Sequence, residues 1–120
     1  MKPYQDARVE GEKLAKQYAE LEQADQVDFY NGLEVYYSVL GHNKKQEAIA
    51  VLIEKNDHKI YVYQLDKGIS QDKAATISRE KGASDIDKIT FGRYQDKPIW
   101  EVKSGNQYYL VDFETGAVIQ

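Results

Sequence analysis

The 120-residue chain has no cysteine, two prolines and a single tryptophan. Without cysteine there is no disulfide, no thiolate metal site and no cysteine nucleophile. That absence suits a cytosolic protein, and equally an extracytoplasmic bacterial protein that avoids free thiols. No run of about 18 apolar residues occurs, so no helical membrane span is expected, and no signal peptide is visible. Met1-Lys2-Pro3 leads directly into a helical pattern, as a chain cut just after an anchor or signal would. Basic charge is also scarce. Sixteen Lys and Arg face twenty Asp and Glu, for a net charge of -4, and the lysines are scattered among acids. A nucleic-acid binder carries a basic stripe, so nucleic acid is not an expected partner.

What is present is a folded composition, 42% hydrophobic and 30% charged, and an internal echo. Val35-Tyr36-Tyr37-Ser38-Val39-Leu40-Gly41-His42-Asn43 reads against Pro98-Ile99-Trp100-Glu101-Val102-Lys103-Ser104-Gly105-Asn106 at a constant offset. Tyr37 meets Trp100, Val39 meets Val102 and Asn43 meets Asn106. Each copy follows a helix-like stretch and precedes a strand-like one, so the chain reads as a duplicated scaffold. The repeated positions are strand and turn residues rather than catalytic ones.

The periodicity predicts a first helix over about Pro3–Ala24. Ala7, Gly11, Leu14, Tyr18 and Leu21 step by four, three, four and three onto one stripe, and Gly11 on that stripe allows close approach to a strand. A short strand, Val27–Tyr30, is expected to turn at Asn31-Gly32 as a two-residue hairpin. Leu33, Val35, Tyr37 and Val39 alternate with Glu34, Tyr36 and Ser38 as in a half-buried strand. Gly41 to Lys45 reads as a turn, Glu47–Lys55 as an apolar strand, and Ile60–Leu65 as a strand with Tyr61 and Tyr63 opposite Ile60 and Val62.

Asp66-Lys67-Gly68 marks a boundary, giving domains 1–67 and 68–120. Ser70 is a good N-cap, with Ile69 placed to staple onto Ala74, and Gly82 suits the C′ position of a second helix. Strands follow at about Asp87–Tyr94, Pro98–Lys103 and Gln107–Phe113, with a last short one at Ala117–Ile119. Trp100 is expected in the core beneath the second helix. The fold class is α+β: two tandem units, each a helix packed on an antiparallel sheet.

Candidate chemistry is thin. Ser70-Gln71-Asp72-Lys73 matches S-x-x-K, but neither S-D-N nor K-T-G follows, and a helix cap accounts for Ser70. His42 and His58 fall in expected turns, without the three or four ligands a zinc site needs. Asp25 and Asp28 lack calcium-loop spacing, and the helix acids read as a solvated face. Asp112 is expected to hydrogen-bond the backbone of its turn. No catalytic, metal or cofactor-binding residue and no cofactor is therefore assigned. Of ten tyrosines, Tyr36, Tyr61, Tyr63 and Tyr109 fall on strand faces opposite, or in part opposite, the aliphatic face. Tyrosine favours strands, but it is also enriched at interfaces, so these four form the candidate protein-interaction surface.

The second half resembles a PepSY domain. The likeness lies in Ser70 to Ala75 opening a helix, in Lys97-Pro98-Ile99-Trp100-Glu101-Val102, and above all in the ending Tyr108 to Ile119 with its V-D-x-x-T-G-x-V pattern. The first half, with Tyr36-Tyr37-Ser38-Val39-Leu40-Gly41, is similar to the domain that precedes PepSY in the cell-wall elongation regulator TseB-like family of Gram-positive bacteria. The resemblance implies two cystatin-like units in tandem and a body on the outer face of the cell membrane, held by a single N-terminal anchor that this sequence does not include. It implies a non-enzymatic protein-binding module that regulates cell-wall elongation through a penicillin-binding transpeptidase. The alternative it implies is a PepSY-type modulator or inhibitor of an extracellular peptidase.

Overall fold

The computed structural model describes the backbone of residues 3–119, and side chains from Val9 to Ile119. Ala7 of the expected stripe therefore lies outside the described side chains, and Met1, Lys2 and Gln120 lie outside the described residues altogether. The chain divides into two compact units, Met1–Gln64 and Leu65–Gln120. The first contains helix α1 (Pro3–Tyr18) and strands β1 (Leu21–Asn31), β2 (Val35–Asn43), β3 (Ala48–Glu54) and β4 (Ile60–Gln64). The second begins with a 3-10 turn (Leu65–Lys67), then helix α2 (Gln71–Glu80) and strands β5 (Lys88–Tyr94), β6 (Lys97–Ser104) and β7 (Gln107–Asp112). All strand pairings are antiparallel, in the orders β1-β2-β3-β4 and β5-β6-β7. The architecture is thus α+β, with two helices and two antiparallel sheets.

In the first unit α1 covers one sheet face. Gly11 permits this contact: a Cβ there would sit 3.2 Å from Tyr37 Cβ and Cδ1. Ala15, Leu21, Val27, Tyr37, Val39, Ile49, Val51 and Ile53 form the buried cluster, with Leu14, Ala19, Ala24, Phe29 and Ile60 packed against it. Tyr18, placed on the stripe by periodicity, is instead 61% exposed.

The helix is also shorter than its periodicity predicts. Glu20 adopts a left-handed φ of 56° and takes the chain off the helix axis, so 21–24 are strand. The misreading has a clear cause. β1 carries two bulges against β2, where Glu22 and Asp25 are the extra residues. Each bulge inserts one residue and resets the two-residue alternation. Leu21, Ala24 and Val27 therefore reach the same face at a spacing of three, which mimics a helix. The Asn31-Gly32 connection is likewise longer than a two-residue turn. Asn31 pairs with Val35, so Gly32, Leu33 and Glu34 form the loop, and Leu33 is 77% exposed at its tip rather than on the inner face. Gly41, His42 and Asn43 belong to β2 rather than to a turn. Asn43 Oδ1 accepts the amides of Lys45 and Glu47, each at 3.0 Å, and so shapes the loop that follows.

The second unit follows its sequence signals closely. Ser70 Oγ accepts the Lys73 amide at 3.0 Å as the N-cap. At the other end Gly82 has φ 117°, its amide donates to Arg79 O, and the Ala83 amide donates to Ser78 O. Together these bonds form a Schellman closure. Phe91, Trp100 and Phe113 pack edge-on, with ring centroids 4.9, 5.2 and 6.4 Å apart. The Trp100 indole N–H donates to Ile69 O at 3.0 Å. The V-D-x-x-T-G-x-V ending acquires a physical reading. Asp112 Oδ1 accepts the amides of Glu114 and Thr115, Gly116 supplies φ 81°, and Thr115 Oγ1 accepts the Ala117 amide. Val118 then bridges back to Val111.

Among the described residues of this unit one buried side-chain group has no partner: Ser78 Oγ, on a fully buried residue of α2. A buried hydroxyl without a hydrogen bond destabilises by about 1–3 kcal/mol. Ser78→Ala is therefore expected to raise the denaturation midpoint, by up to about 1 kcal/mol in stability. A loss of stability in chemical denaturation would show that the hydroxyl is in fact satisfied.

Candidate functional site

The register of the first sheet sorts the candidate tyrosines. Tyr36 pairs with Glu54, Leu52 with Tyr61, and Ala50 with Tyr63. Tyr36, Tyr61 and Tyr63 therefore share one face, opposite the face that carries Tyr37, Val39, Val51 and Ile53 beneath α1. Tyr30, which pairs with Tyr36, lies there too. Sequence reading did not single it out, although the facing positions of the hairpin could have shown it.

These rings differ in access. Tyr30 and Tyr36 are 1% and 3% exposed. The Tyr36 ring lies 6.3 Å from Tyr30 and 6.3 Å from Tyr61, the latter edge-on. Its hydroxyl donates to Glu34 Oε2 at 3.3 Å. Tyr36 thus stands as a support for Tyr61 rather than as exposed area, while Tyr61 and Tyr63 on β4 are half-buried. Beside them Glu54 is buried. Its carboxyl is pushed above the ordinary range by burial, then by the Glu34 and Asp57 carboxylates and a hydrogen bond with Glu34, with Lys59 opposing. The proton is held more tightly in the folded chain, so this position contributes less stability as pH rises through the carboxylate range.

Tyr109 is placed differently. It pairs with Val102 on β6, two residues from Trp100, and so lies on the face covered by α2, not opposite it. Its hydroxyl donates to Gln107 Oε1 at 3.3 Å, and a Cβ on Gly82 would lie 3.6 Å from its oxygen. The sequence could not assign this face because Tyr108 and Tyr109 are adjacent. Only the register against β6 decides which points inward, and Tyr108 is the one 54% exposed.

The other candidates have structural partners. Ser70 caps α2 with the oxygen that S-x-x-K chemistry would need. His42 lies on β2 rather than in a turn, with Nδ1 2.9 Å from Asp25 Oδ2, so the bulged acid of β1 meets it across the strand pair. His58 is exposed in the β3–β4 turn, with φ 56°. Among the described residues no group of three or more His, Cys, Asp or Glu is arranged to hold a metal ion, and no helix is long and apolar enough to cross a membrane.

Comparison with known proteins follows the same lines. Residues 10–54, which run from α1 through β3, match the model of the cell wall elongation regulator TseB-like domain. The chain is 37% identical over 114 residues to the Bacillus subtilis (strain 168) protein named probable cell wall elongation regulator TseB, covering 88% of this chain and 70% of that protein. The chain belongs to the TseB-like family. A solved structure titled as the YpmB protein from Bacillus subtilis is similar across 100% of this chain and 96% of that one, with TM-score 0.78 and 32% identity. This TseB-like chain therefore shares its α+β fold with that relative.

Proposed function

We propose that this chain is a non-enzymatic, extracytoplasmic protein-binding module that regulates cell-wall elongation, and that its partner is a penicillin-binding transpeptidase. Family membership carries the reading: the likeness to a cell wall elongation regulator extends over most of the chain. The surface assigned to the partner is the half-buried pair Tyr61 and Tyr63, backed by Tyr36. Rigid aromatic rings with a hydroxyl give contact area at little entropic cost. The body is placed on the outer face of the cell membrane by a single N-terminal anchor. The second unit is read as a PepSY domain, both units as cystatin-like, and Tyr109 as a rim contact of that second unit.

The test uses the anchored full-length protein as crosslinking bait in Gram-positive membranes. A penicillin-binding transpeptidase is the expected capture. Tyr61→Ala and Tyr63→Ala are each expected to weaken it by about tenfold or more, the loss of one interface hot spot of roughly 2 kcal/mol, with the fold retained by circular dichroism. Undiminished capture by both variants would remove the tyrosines from the account. Enrichment of a peptidase in place of a transpeptidase would favour the PepSY modulator reading.

A further inference from the structure

The first sheet ends in two edge strands, and only one is defended. β1 is twisted out of register by two bulges whose extra residues, Glu22 and Asp25, are exposed acids. Bulges and charge are the usual means of keeping a sheet edge from pairing with another chain. β4, Ile60-Tyr61-Val62-Tyr63-Gln64, has neither. It contains no charge, no proline and no bulge, and among the described residues it pairs with β3 alone.

Its hydrogen-bonding pattern shows which groups it offers. The Glu54 amide donates to Lys59 O across the β3–β4 turn. Antiparallel pairs alternate between bonded and non-bonded, so Leu52–Tyr61 and Ala50–Tyr63 are the bonded pairs. The amides and carbonyls of Ile60, Val62 and Gln64 then point away from β3, along the open edge. Val62 is also 48% exposed.

This edge is complementary to itself. If a second copy pairs antiparallel with the two-fold axis at Val62, Val62 faces Val62, Tyr61 faces Tyr63, and Ile60 faces Gln64. The three outward-pointing residues of each copy then meet as bonded pairs. Tyr61 and Tyr63 of both copies form one four-ring ladder on the face opposite α1. We infer that β4 is a self-association edge, and that two copies of this chain join through it into an eight-stranded antiparallel sheet. The strand is five residues long, so the interface is at the small end of specific contacts and the dimer is concentration-dependent. The inference does not rest on the proposed cell-wall role, and its test needs no partner.

The absence of native cysteine makes that test direct. Facing Cα atoms in a bonded antiparallel pair are about 5.5 Å apart, within the roughly 4.4–6.8 Å a disulfide spans. Val62→Cys is expected to give a disulfide-linked dimer under mild oxidation. Ile60→Cys places its two thiols about 13 Å apart along the strand and should crosslink at least about tenfold more slowly. The double variant Ile60→Cys with Gln64→Cys should recover the fast rate. In parallel, sedimentation of the unaltered protein should show mass rising with concentration, and Val62→Lys should hold it monomeric. Equal crosslinking of Val62→Cys and Ile60→Cys would overturn the register. A wild-type chain that stays monomeric at every concentration would overturn the dimer, as would an unrelated extended peptide occupying β4 of a monomer.

Discussion

Replacing Trp100 by alanine is expected to remove most of the stability of the second unit, a loss of about 3–5 kcal/mol. Domains of this kind are stable by about 5–15 kcal/mol in total, so the variant should be partly unfolded at moderate temperature. Trp100 is 2% exposed and stands at the centre of β6, between Phe91 and Val111. Its removal opens a cavity beneath α2 and takes from Phe91 and Phe113 their edge contacts with the indole. It also deprives Ile69 O of its indole donor. Trp100→Phe refills most of the volume but not that hydrogen bond, and should cost about 1–3 kcal/mol. Urea denaturation followed by far-ultraviolet circular dichroism measures both. A Trp100→Ala loss below about 1 kcal/mol would mean that the ring does not hold the core together.

The second large effect is expected at Gly41. A Cβ there would be driven into the carbonyl oxygen of Gln23 and would lie 2.9 Å from Leu21 Cδ1. The obstacle is backbone, which no rotamer change relieves. Gly41→Ala must therefore push β1 off β2 at the Ala24–Gly41 pair and draw Leu21 out of the core. The cost should reach about 3 kcal/mol, the upper end for overpacking. Gly105→Ala is the control. Nothing lies within 4 Å of its Cβ, and only its φ of +61° counts against it, at about 1–2 kcal/mol. Hydrogen exchange locates the damage: early exchange confined to β1 and the upper half of β2 is expected in Gly41→Ala. Wild-type protection there would show that β1 tolerates displacement.

The same strand pair explains where the fold was legible from sequence. The second unit is punctuated by residues whose conformational preferences are strong. Ser70 caps, Gly82 and Gly116 take positive φ, and β5, β6 and β7 fall within a residue or two of their expected limits. Its one unusual turn, Gln95-Asp96, has positive φ at both positions without Asn or Gly, yet the flanking strands still located it. The first unit lacks such signals at its decisive point. Glu20 ends α1 in a left-handed conformation that no local preference announces, and the bulges give β1 a false helical spacing.

For the candidate surface, two-residue alternation was enough to place Tyr61 and Tyr63 together opposite Val62. It could not tell that Tyr36 is buried, because central strands with both faces covered lose their alternation of apolar and polar residues. Ser38 and Leu40 on one face of β2 are as buried as Tyr37 and Val39 on the other.

The single tryptophan of the chain has one further consequence, an optical one. All indole emission arises from the second unit, from a ring enclosed by Phe91 and Phe113, whereas backbone dichroism reports both sheets. Heating the unaltered protein while recording the two signals together gives each unit its own melting curve without any label. Superimposed curves would mean that the two units unfold as one cooperative body, and an emission shift that precedes or trails the dichroism would show which unit gives way first.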